Sequence, residues 1–500
     1  MLRRSERLKG QKIQNFGTAE ADREHFFYEG AKNTWTNKGG NGHLRIALAS
    51  DFFCPNTGGV ETHIYYLAQC LIRLGHKVIV ITHQYGDRRG IRYLSNGLKV
   101  YYLPFLVAYN GCTLPTIVGS AFWLREIFLR ERIQIVHGHS TFSTMAHEAM
   151  MHAWSIGLKT CFTDHSLFGF ADASAVLTNK LVLQFSLTNV DRVICVSHTS
   201  KENTVLRAHL LPDTVSVIPN AIDCELFIPD KLKFESNPTT IIVLSRLVYR
   251  KGSDLLAEII PPLCAKHPNL RFIIGGDGPK RILIEEARER YHLHDRVAML
   301  GLLPHSQVRD VLVEGQIFLN TSLTEAFCMS IVEAASCGLH VVTTRVGGIP
   351  EVLPDDLMLM TEPDPALLIR ALDQAIRMRE ENRMICPYVR HERVRKMYLW
   401  PDVARRTEVV YRSLFAESEM SKAERIRRYF GCGFGFGWLF SFAVVLNLMF
   451  MAFLEWWRPA KSVPEANDHL KAKATVFDHL DKQSTEDRSL FNYLVSQVAR

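Results

Sequence analysis

The chain is 500 residues long, 47% hydrophobic and 22% charged, with a net charge of +7 from 59 basic and 52 acidic residues. That balance excludes a disordered polyampholyte, a collagen-like repeat and a multi-span transporter, and leaves material for two hydrophobic cores plus tails. The charge excess is mild: it suits an anionic membrane face or anionic ligands and is too small to argue for nucleic acid. The eleven cysteines are scattered with no C-x-x-C pair, which fits buried thiols in a reduced compartment better than a disulfide scaffold or a zinc site.

Residues 1–43 begin Met1-Leu2-Arg3-Arg4 and stay polar to about Gly42. No apolar stretch follows the basic start, so no secretory signal is expected and the segment reads as a disordered tail. From Leu44 short apolar runs alternate with longer amphipathic stretches. Strands are predicted at Leu44–Ser50, Val78–Thr82, Val100–Leu103, Ile133–His137, Thr160–Thr163, Val193–Ser197 and Val215–Pro219, with helices such as Glu61–Leu74 and Val118–Arg132 between them. The rhythm restarts after the polar, Pro-bearing stretch 229–239. Strands are then predicted at Ile241–Leu244, Arg271–Ile274, Val297–Leu300, Ile317–Asn320 and His340–Thr343, and helices near Asp254–Lys266, Lys280–Tyr291, Ser306–Glu314 and Phe327–Cys337. The alternation predicts an α/β protein of two Rossmann-like, doubly wound domains, 44–225 and 226–385, facing a cleft at the carboxyl ends of their strands. Residues 386–433 read as terminal helices and a basic juxtamembrane segment. Phe434–Leu454 carries no charge and one Asn, and its 21 residues reach about 31 Å as a helix, enough to span a bilayer. Lys422, Arg425, Arg427 and Arg428 precede it, so the positive-inside rule places residues 1–433 in the cytosol and the tail 455–500 on the other side.

The strongest local signal is Glu325-Ala326-Phe327-Cys328-Met329-Ser330-Ile331-Val332-Glu333, after a strand and opening a helix. If helical, its two carboxylates lie about 12 Å apart, close to the reach from sugar to ribose in a nucleotide sugar. Amides near Phe327, Cys328 and Met329 would favour a diphosphate. E-x7-E alone is a weak pattern, and context strengthens it. Arg246 and Lys251 follow the first strand of the second half and can clamp a diphosphate. Gly276, Asp277 and Gly278 form a turn after the next strand that allows close backbone approach to a ligand. Gly347-Gly348-Ile349-Pro350-Glu351 reads as a structural turn. In the first half, Gly58, Gly59 and Glu61 follow the first strand, where a phosphate or an acceptor can approach the backbone. His165 stands at a strand end, where it can place a sugar hydroxyl or a developing charge. No G-x-G-x-x-G loop supports a nicotinamide or flavin enzyme. His137-Gly138-His139 lacks a third ligand at useful spacing, and no D-x-D pair is present to hold a nucleotide-bound cation. The site is expected to work without a metal or other cofactor.

In this order, GGVE, T-x-H, SRL…KG, GGDGP and E-x7-E resemble the retaining GT-B glycosyltransferases of the glycogen-synthase-like superfamily over Leu44–Leu414. TDHSLFGFAD (163–172), IPNAID (218–223), SRLVYRKG (245–252) and SLTEAFCMSIVEAASCGL (322–339) are similar to one family within it, the catalytic subunits of phosphatidylinositol N-acetylglucosaminyltransferase, phosphatidylinositol glycan class A. The resemblance implies transfer of N-acetylglucosamine from UDP-GlcNAc to phosphatidylinositol with retention. It also implies a place in a multi-subunit complex and a single-pass endoplasmic reticulum membrane protein with cytosolic lobes and a lumenal tail. Carried onto these positions, Glu325, His165, Arg246 and Lys251 are expected to be catalytic. Gly276, Asp277, Gly278, Phe327, Cys328, Met329 and Glu333 would bind the donor, and Gly58, Gly59 and Glu61 the acceptor. The alternatives are a GDP-mannose-dependent lipid mannosyltransferase of the same fold and a non-catalytic GT-B scaffold.

Overall fold

The computed structural model describes residues 42–56, 58–109, 111–167, 178–235, 237–416 and 420–466. The expected tail up to residue 41, the FGFAD end of the 163–172 motif and the segment beyond 466 lie outside the described residues.

Lobe 1 is built on an eight-stranded sheet. Its strands are β1 (Arg45–Ala49), β2 (Lys77–His83), β3 (Gly90–Tyr93), β4 (Lys99–Leu103), β7 (Ile135–His139), β8 (Lys159–Asp164), β9 (Arg192–Cys195) and β10 (Val215–Val217). Between β4 and β7 a small hairpin pairs β5 (Val107–Tyr109) with β6 (Cys112–Thr113). The order is β10-β9-β8-β7-β1-β2-β4-β3, parallel except for the antiparallel edge strand β3. Lobe 2 carries β11 (Thr239–Leu244), β12 (Leu270–Gly275), β13 (Val297–Gly301), β14 (Ile317–Asn320), β15 (His340–Thr344) and β16 (Met358–Thr361) in the order β13-β12-β11-β14-β15-β16, all parallel. These strands read as unbroken apolar runs because helices cover both faces. Ile46, Leu48 and Ile135 bury one side of sheet 1, and Ala47, Ala49 and Val136 the other.

Every predicted strand forms. The sequence reading did not anticipate β3, whose four residues are all exposed, or β16, a short Met-rich run without β-branched alternation. The strand predicted at Ile133–His137 sits two residues later, as β7. Its closing residues, His137-Gly138-His139, are polar yet buried, so hydrophobic patterning ended the strand too early.

The helices used below are α1 (Gly59–Arg73), α2 (Ala121–Arg130), α3 (Thr144–Ser155) and α4 (His198–Ala208) in lobe 1. Lobe 2 has α5 (Ser253–Lys266), α6 (Arg281–Arg290), α7 (His305–Leu312), α8 (Met329–Ser336) and α9 (Pro365–Glu380). Then α10 (Pro387–Met397) packs on α8, and α11 (Trp400–Ser413) crosses back to pack on α1, so the chain stitches the lobes together twice. Trp400 stacks on Tyr66 of α1 with ring centroids 5.3 Å apart.

The basic helix α12 (Lys422–Phe430) turns into the apolar α13 (Phe436–Trp457) through a glycine elbow. Gly433 and Gly435 have φ of +110° and +80°, and a Cβ on Gly437 would stand 2.5 Å from the Phe430 carbonyl oxygen. Among the described residues α13 is the one helix long and apolar enough to cross a membrane. One face packs on lobe 1 through Phe440, Val444, Met451 and Leu454. Asn447, the one Asn of the span, is fully buried there: its Oδ1 meets Nδ1 of His152 at 2.9 Å and its Nδ2 donates to Ser155 Oγ at 2.7 Å. The stretch Glu455–Ala466, expected beyond the membrane, instead returns along lobe 1. Glu455 pairs with Arg125, Arg458 Nε donates to Glu126 at 2.9 Å, and Glu465 pairs with Arg132 at 2.6 Å.

Candidate active site

In an open parallel sheet the crevice opens where strand order reverses. In sheet 1 the reversal lies between β1 and β7, and in sheet 2 between β11 and β14. The loops after β1, β11 and β14, and the one after β8 beside β7, are therefore the ones that face the cleft. These loops and the helix starts that follow them carry Gly58, Gly59 and Glu61; Arg246 and Lys251; Glu325 to Met329; and His165.

In lobe 2 the β11 and β14 loops are tied together. Lys251 Nζ donates to Glu325 Oε1, and Ser322 Oγ donates to the same oxygen at 2.8 Å. Thr321 Oγ1 donates to the Lys251 carbonyl at 2.9 Å, and Leu323 N to the Arg250 carbonyl at 2.9 Å. Gly252, left-handed with φ +68°, allows this contact: a Cβ there would collide with the Thr321 carbonyl oxygen. The GGDGP turn is fastened to the same loop, with Leu247 N donating to the Asp277 carbonyl at 2.9 Å and Lys280 N to the Leu247 carbonyl at 2.9 Å. Gly276 (φ +125°) and Gly278 (φ +155°) lie against the carbonyls of Ser245 and Leu247. Their first task is to let this turn support the Arg246 loop. Gly276→Ala is therefore expected to lower stability by at least about 2 kcal/mol, read as a drop in the midpoint of thermal or denaturant unfolding.

The two carboxylates of E-x7-E do not share one helix. Helix α8 begins at Met329, so Glu325 lies in the loop and only Glu333 is helical. Cys328 is the N-cap and supplies no side-chain cap, leaving first-turn amides for an anion. Phe327 and Cys328 bury their side chains, so only their backbone can face a ligand. Burial pushes the Glu333 carboxyl up to about 7. His305 Nε2 stands 3.9 Å away and is itself held toward the neutral form by burial. A half-buried carboxylate whose neighbour is a neutral imidazole suits a pair of ligand hydroxyls.

In lobe 1, Gly58 caps α1 in an extended conformation, and a Cβ there would stand 2.5 Å from Glu61 Oε2. At Gly59 an added Cβ would meet open space. Burial raises the Glu61 carboxyl, and the positive charge of Arg246, from lobe 2, opposes that rise. Arg246 is thus near enough to Glu61 to bear on its charge. His165 joins His63 and His139, with ligand-capable nitrogens of all three within 4.8 Å. Burial holds these imidazoles neutral, and His165 is pulled down to about 3. His63 Nδ1 lies 2.9 Å from Asn220 Oδ1, and His139 Nδ1 lies 3.4 Å from His165 Nε2. The third and fourth nitrogens that spacing along β7 did not offer come from His63 and His165, while His137 stays out of this group because its two nitrogens are taken up by Tyr411 at 2.6 Å and Thr163 at 2.7 Å.

Sequence reasoning missed several supporting residues. Asp51 anchors the β1 loop by accepting from Thr113 N, Ser143 Oγ and Met145 N at 3.0–3.1 Å. Ser322 orients Glu325. The turn read as merely structural, Gly347–Glu351, is a latch between the lobes. Glu351 accepts from the first amides of α4, His198 N at 2.6 Å and Thr199 N at 2.8 Å, and Gly347 lies against the Glu325 carbonyl. An acid shortly after a glycine pair was the available signal, but nothing in the sequence names its partner helix.

Two Rossmann-like lobes with a basic, carboxylate-bearing cleft define a GT-B glycosyltransferase. Solved structures agree on the fold: sucrose-phosphate synthase from Thermosynechococcus elongatus superposes with a TM-score of 0.60 at 20% identity, covering 75% of this chain and 100% of that one. Residues 83–172 match the family PIGA (GPI anchor biosynthesis), and residues 225–392 match Glycosyl transferases group 1. A phosphatidylinositol N-acetylglucosaminyltransferase subunit from Homo sapiens is 57% identical over 85% of this chain and 87% of its own length. Its Arabidopsis thaliana counterpart is 53% identical over 85% and 94%. The chain belongs to this family of catalytic subunits, which transfer N-acetylglucosamine to phosphatidylinositol in the first step of GPI-anchor biosynthesis.

Proposed function

We propose that the donor is UDP-GlcNAc, held mainly by lobe 2, and that transfer to the inositol hydroxyl proceeds with retention. The observation that carries this reading is the Lys251–Glu325 pair, which with Ser322 and Thr321 ties the β11 and β14 loops together at the cleft. Arg246 and Lys251 stabilise the UDP diphosphate as the C1–O bond breaks, helped by first-turn amides of α8. Glu325 receives sugar hydroxyls, Glu333 the ribose, and neutral His165 touches the sugar near the reacting carbon. Gly58, Gly59 and Glu61 border the inositol. The new C1–O bond forms on the face the phosphate leaves, and the inositol proton passes to the departing phosphate. The two basic side chains supply the positive charge for the diphosphate, so no metal is required. The lobes work on the cytosolic side of the endoplasmic reticulum membrane, in a complex with other subunits. A donor screen against phosphatidylinositol tests this. UDP-GlcNAc is expected to give an α-linked product, with GDP-mannose and UDP-glucose at least 100-fold poorer; efficient mannose transfer contradicts the donor assignment.

A further inference from the structure

Three imidazoles converge from three separate elements of lobe 1. His63 lies in the first turns of α1, His139 closes β7, and His165 stands in the loop after β8. Each offers a ligand-capable nitrogen, and these nitrogens all lie within 4.8 Å of one another. The His63 and His165 rings meet edge to face with centroids 4.7 Å apart, and the His139 ring lies 5.5 Å from His63 and 5.7 Å from His165.

Their hydrogen bonding leaves lone pairs to spare. His139 is fully buried, yet among the described residues its Nε2 has no hydrogen-bond partner, and its Nδ1 has only the long 3.4 Å contact with His165 Nε2. A buried polar ring left so incompletely satisfied is uncommon in a folded protein and points to a ligand. The 3.4 Å separation also fits one edge of a metal site: with metal–nitrogen bonds of about 2.0–2.1 Å in a tetrahedron, two ligating nitrogens stand about 3.3–3.4 Å apart. His63 is set for the same role. Asn220 Oδ1 accepts from its Nδ1 at 2.9 Å, which fixes the proton there and leaves the Nε2 lone pair for a ligand. Asp164, the acid next to His165, is spent on the hydroxyls of Thr141, Ser166 and Thr204. Among the described residues no carboxylate or thiolate joins the three rings at that distance, so the donor set is imidazole alone and a tetrahedral ion would keep one open position. Such a set favours Zn²⁺, Cu²⁺, Ni²⁺ or Co²⁺ over Mg²⁺ or Ca²⁺, which take oxygen ligands. His63 and His139 are buried and His165 is half-buried, so an ion would enter on the His165 side.

We propose that His63, His139 and His165 form a three-imidazole site for a transition-metal dication such as Zn²⁺, and that filling it inhibits transfer. The metal site stands on the three rings themselves. Its effect on transfer rests on the donor reading above, in which His165 touches the sugar: an ion that takes the His165 nitrogen withdraws that contact. The ion is an inhibitor and not a cofactor, and Arg246 and Lys251 remain the positive charge for the diphosphate.

The test uses the full chain in its membrane complex, stripped of metal with a chelator and titrated with Zn²⁺ or Mg²⁺. Binding is read by calorimetry, the ligand set by X-ray absorption at the zinc edge, and transfer by its initial rate. One Zn²⁺ per chain on imidazole nitrogens at about 2.0–2.1 Å is expected, with a rate that falls at least about tenfold as the site fills and no response to Mg²⁺ over the same range. His63→Gln and His139→Gln, checked for folding by retained UDP binding, are each expected to weaken this Zn²⁺ binding by at least about 100-fold, and Asn220→Ala by about 10–100-fold. Residual transfer in the two histidine variants is expected to be insensitive to Zn²⁺. Zinc binding that is absent, or that both histidine variants leave unchanged, overturns the site. X-ray absorption on the unaltered chain decides it independently of how the variants fold: a shell without imidazole overturns it too. Zinc held by these rings with transfer undiminished overturns the inhibition and the sugar contact given to His165, while the metal site stands. An unaltered, metal-free chain that transfers nothing would instead remove the donor reading, and calorimetry and X-ray absorption still decide the metal site.

Discussion

Lys251→Ala is expected to reduce transfer by about 10²–10³-fold while leaving the fold intact. The side chain is part-exposed at the cleft, so its removal opens no core cavity. What is lost is a positive charge placed where the diphosphate gains negative charge, together with the partner that holds Glu325. Glu325 keeps the Ser322 hydroxyl and gains mobility. The loss is therefore expected mainly in kcat, with a smaller change in donor KM. Lys251→Arg keeps the charge but not the compact geometry of an ammonium and is expected to recover only part of the rate. Single-turnover transfer with a folded variant is the measurement; near-normal rates remove the clamp.

Glu333→Gln is expected to stabilise the protein and weaken nucleotide binding together. In the free enzyme the Glu333 carboxyl sits at about 7 against an ordinary 4.5, so the folded state holds its proton more tightly than the unfolded chain does. A raised carboxyl makes stability fall as pH rises from about 4.5 to about 7 and stay low above that, by up to about 3 kcal/mol. Gln carries no charge to desolvate, so the variant should unfold at higher denaturant above pH 7 and match the parent near pH 4.5. Ribose hydroxyls donating to the carboxylate favour its ionised form. UDP affinity in the parent should thus be full above pH 7 and fall as pH drops below it, by up to tenfold per unit. In Glu333→Gln the affinity should be lower by about 10–100-fold at pH 8 and lose that pH dependence. Calorimetry at pH 6 and pH 8 checks both; unchanged UDP affinity contradicts the ribose role.

Both sheets were legible in the sequence because parallel strands buried on two faces leave unbroken apolar runs, and the cleft-facing loops were legible because glycines and charges sit at fixed strand ends. What patterning could not show was anything set by a distant partner. The reach of about 12 Å between the E-x7-E carboxylates holds only if the whole stretch is helical; α8 starts at Met329, two residues after the predicted Phe327, and Glu325 is positioned in the loop by Lys251 and Ser322. His137 and His139, two apart on a strand, share a face, and their rings lie 4.1 Å apart. Yet Tyr411 and Thr163 occupy His137, while His139 meets His63 and His165 from other loops, a grouping that local spacing does not display. Glu351 gave no local sign of reaching α4. The apolar length of α13 was plain, but its docking on lobe 1 depends on one Asn whose partners lie 295 and 292 residues earlier.

The central claim is that one cleft serves both lobes, with the donor diphosphate between Arg246 and Lys251 and the acceptor opposite, at Glu61 and His165. A structure of the full-length enzyme with UDP-GlcNAc measures this directly. Diphosphate oxygens within hydrogen-bonding reach of both basic side chains, with the ribose on Glu333, is the arrangement expected. A nucleotide seated away from these three residues would contradict it.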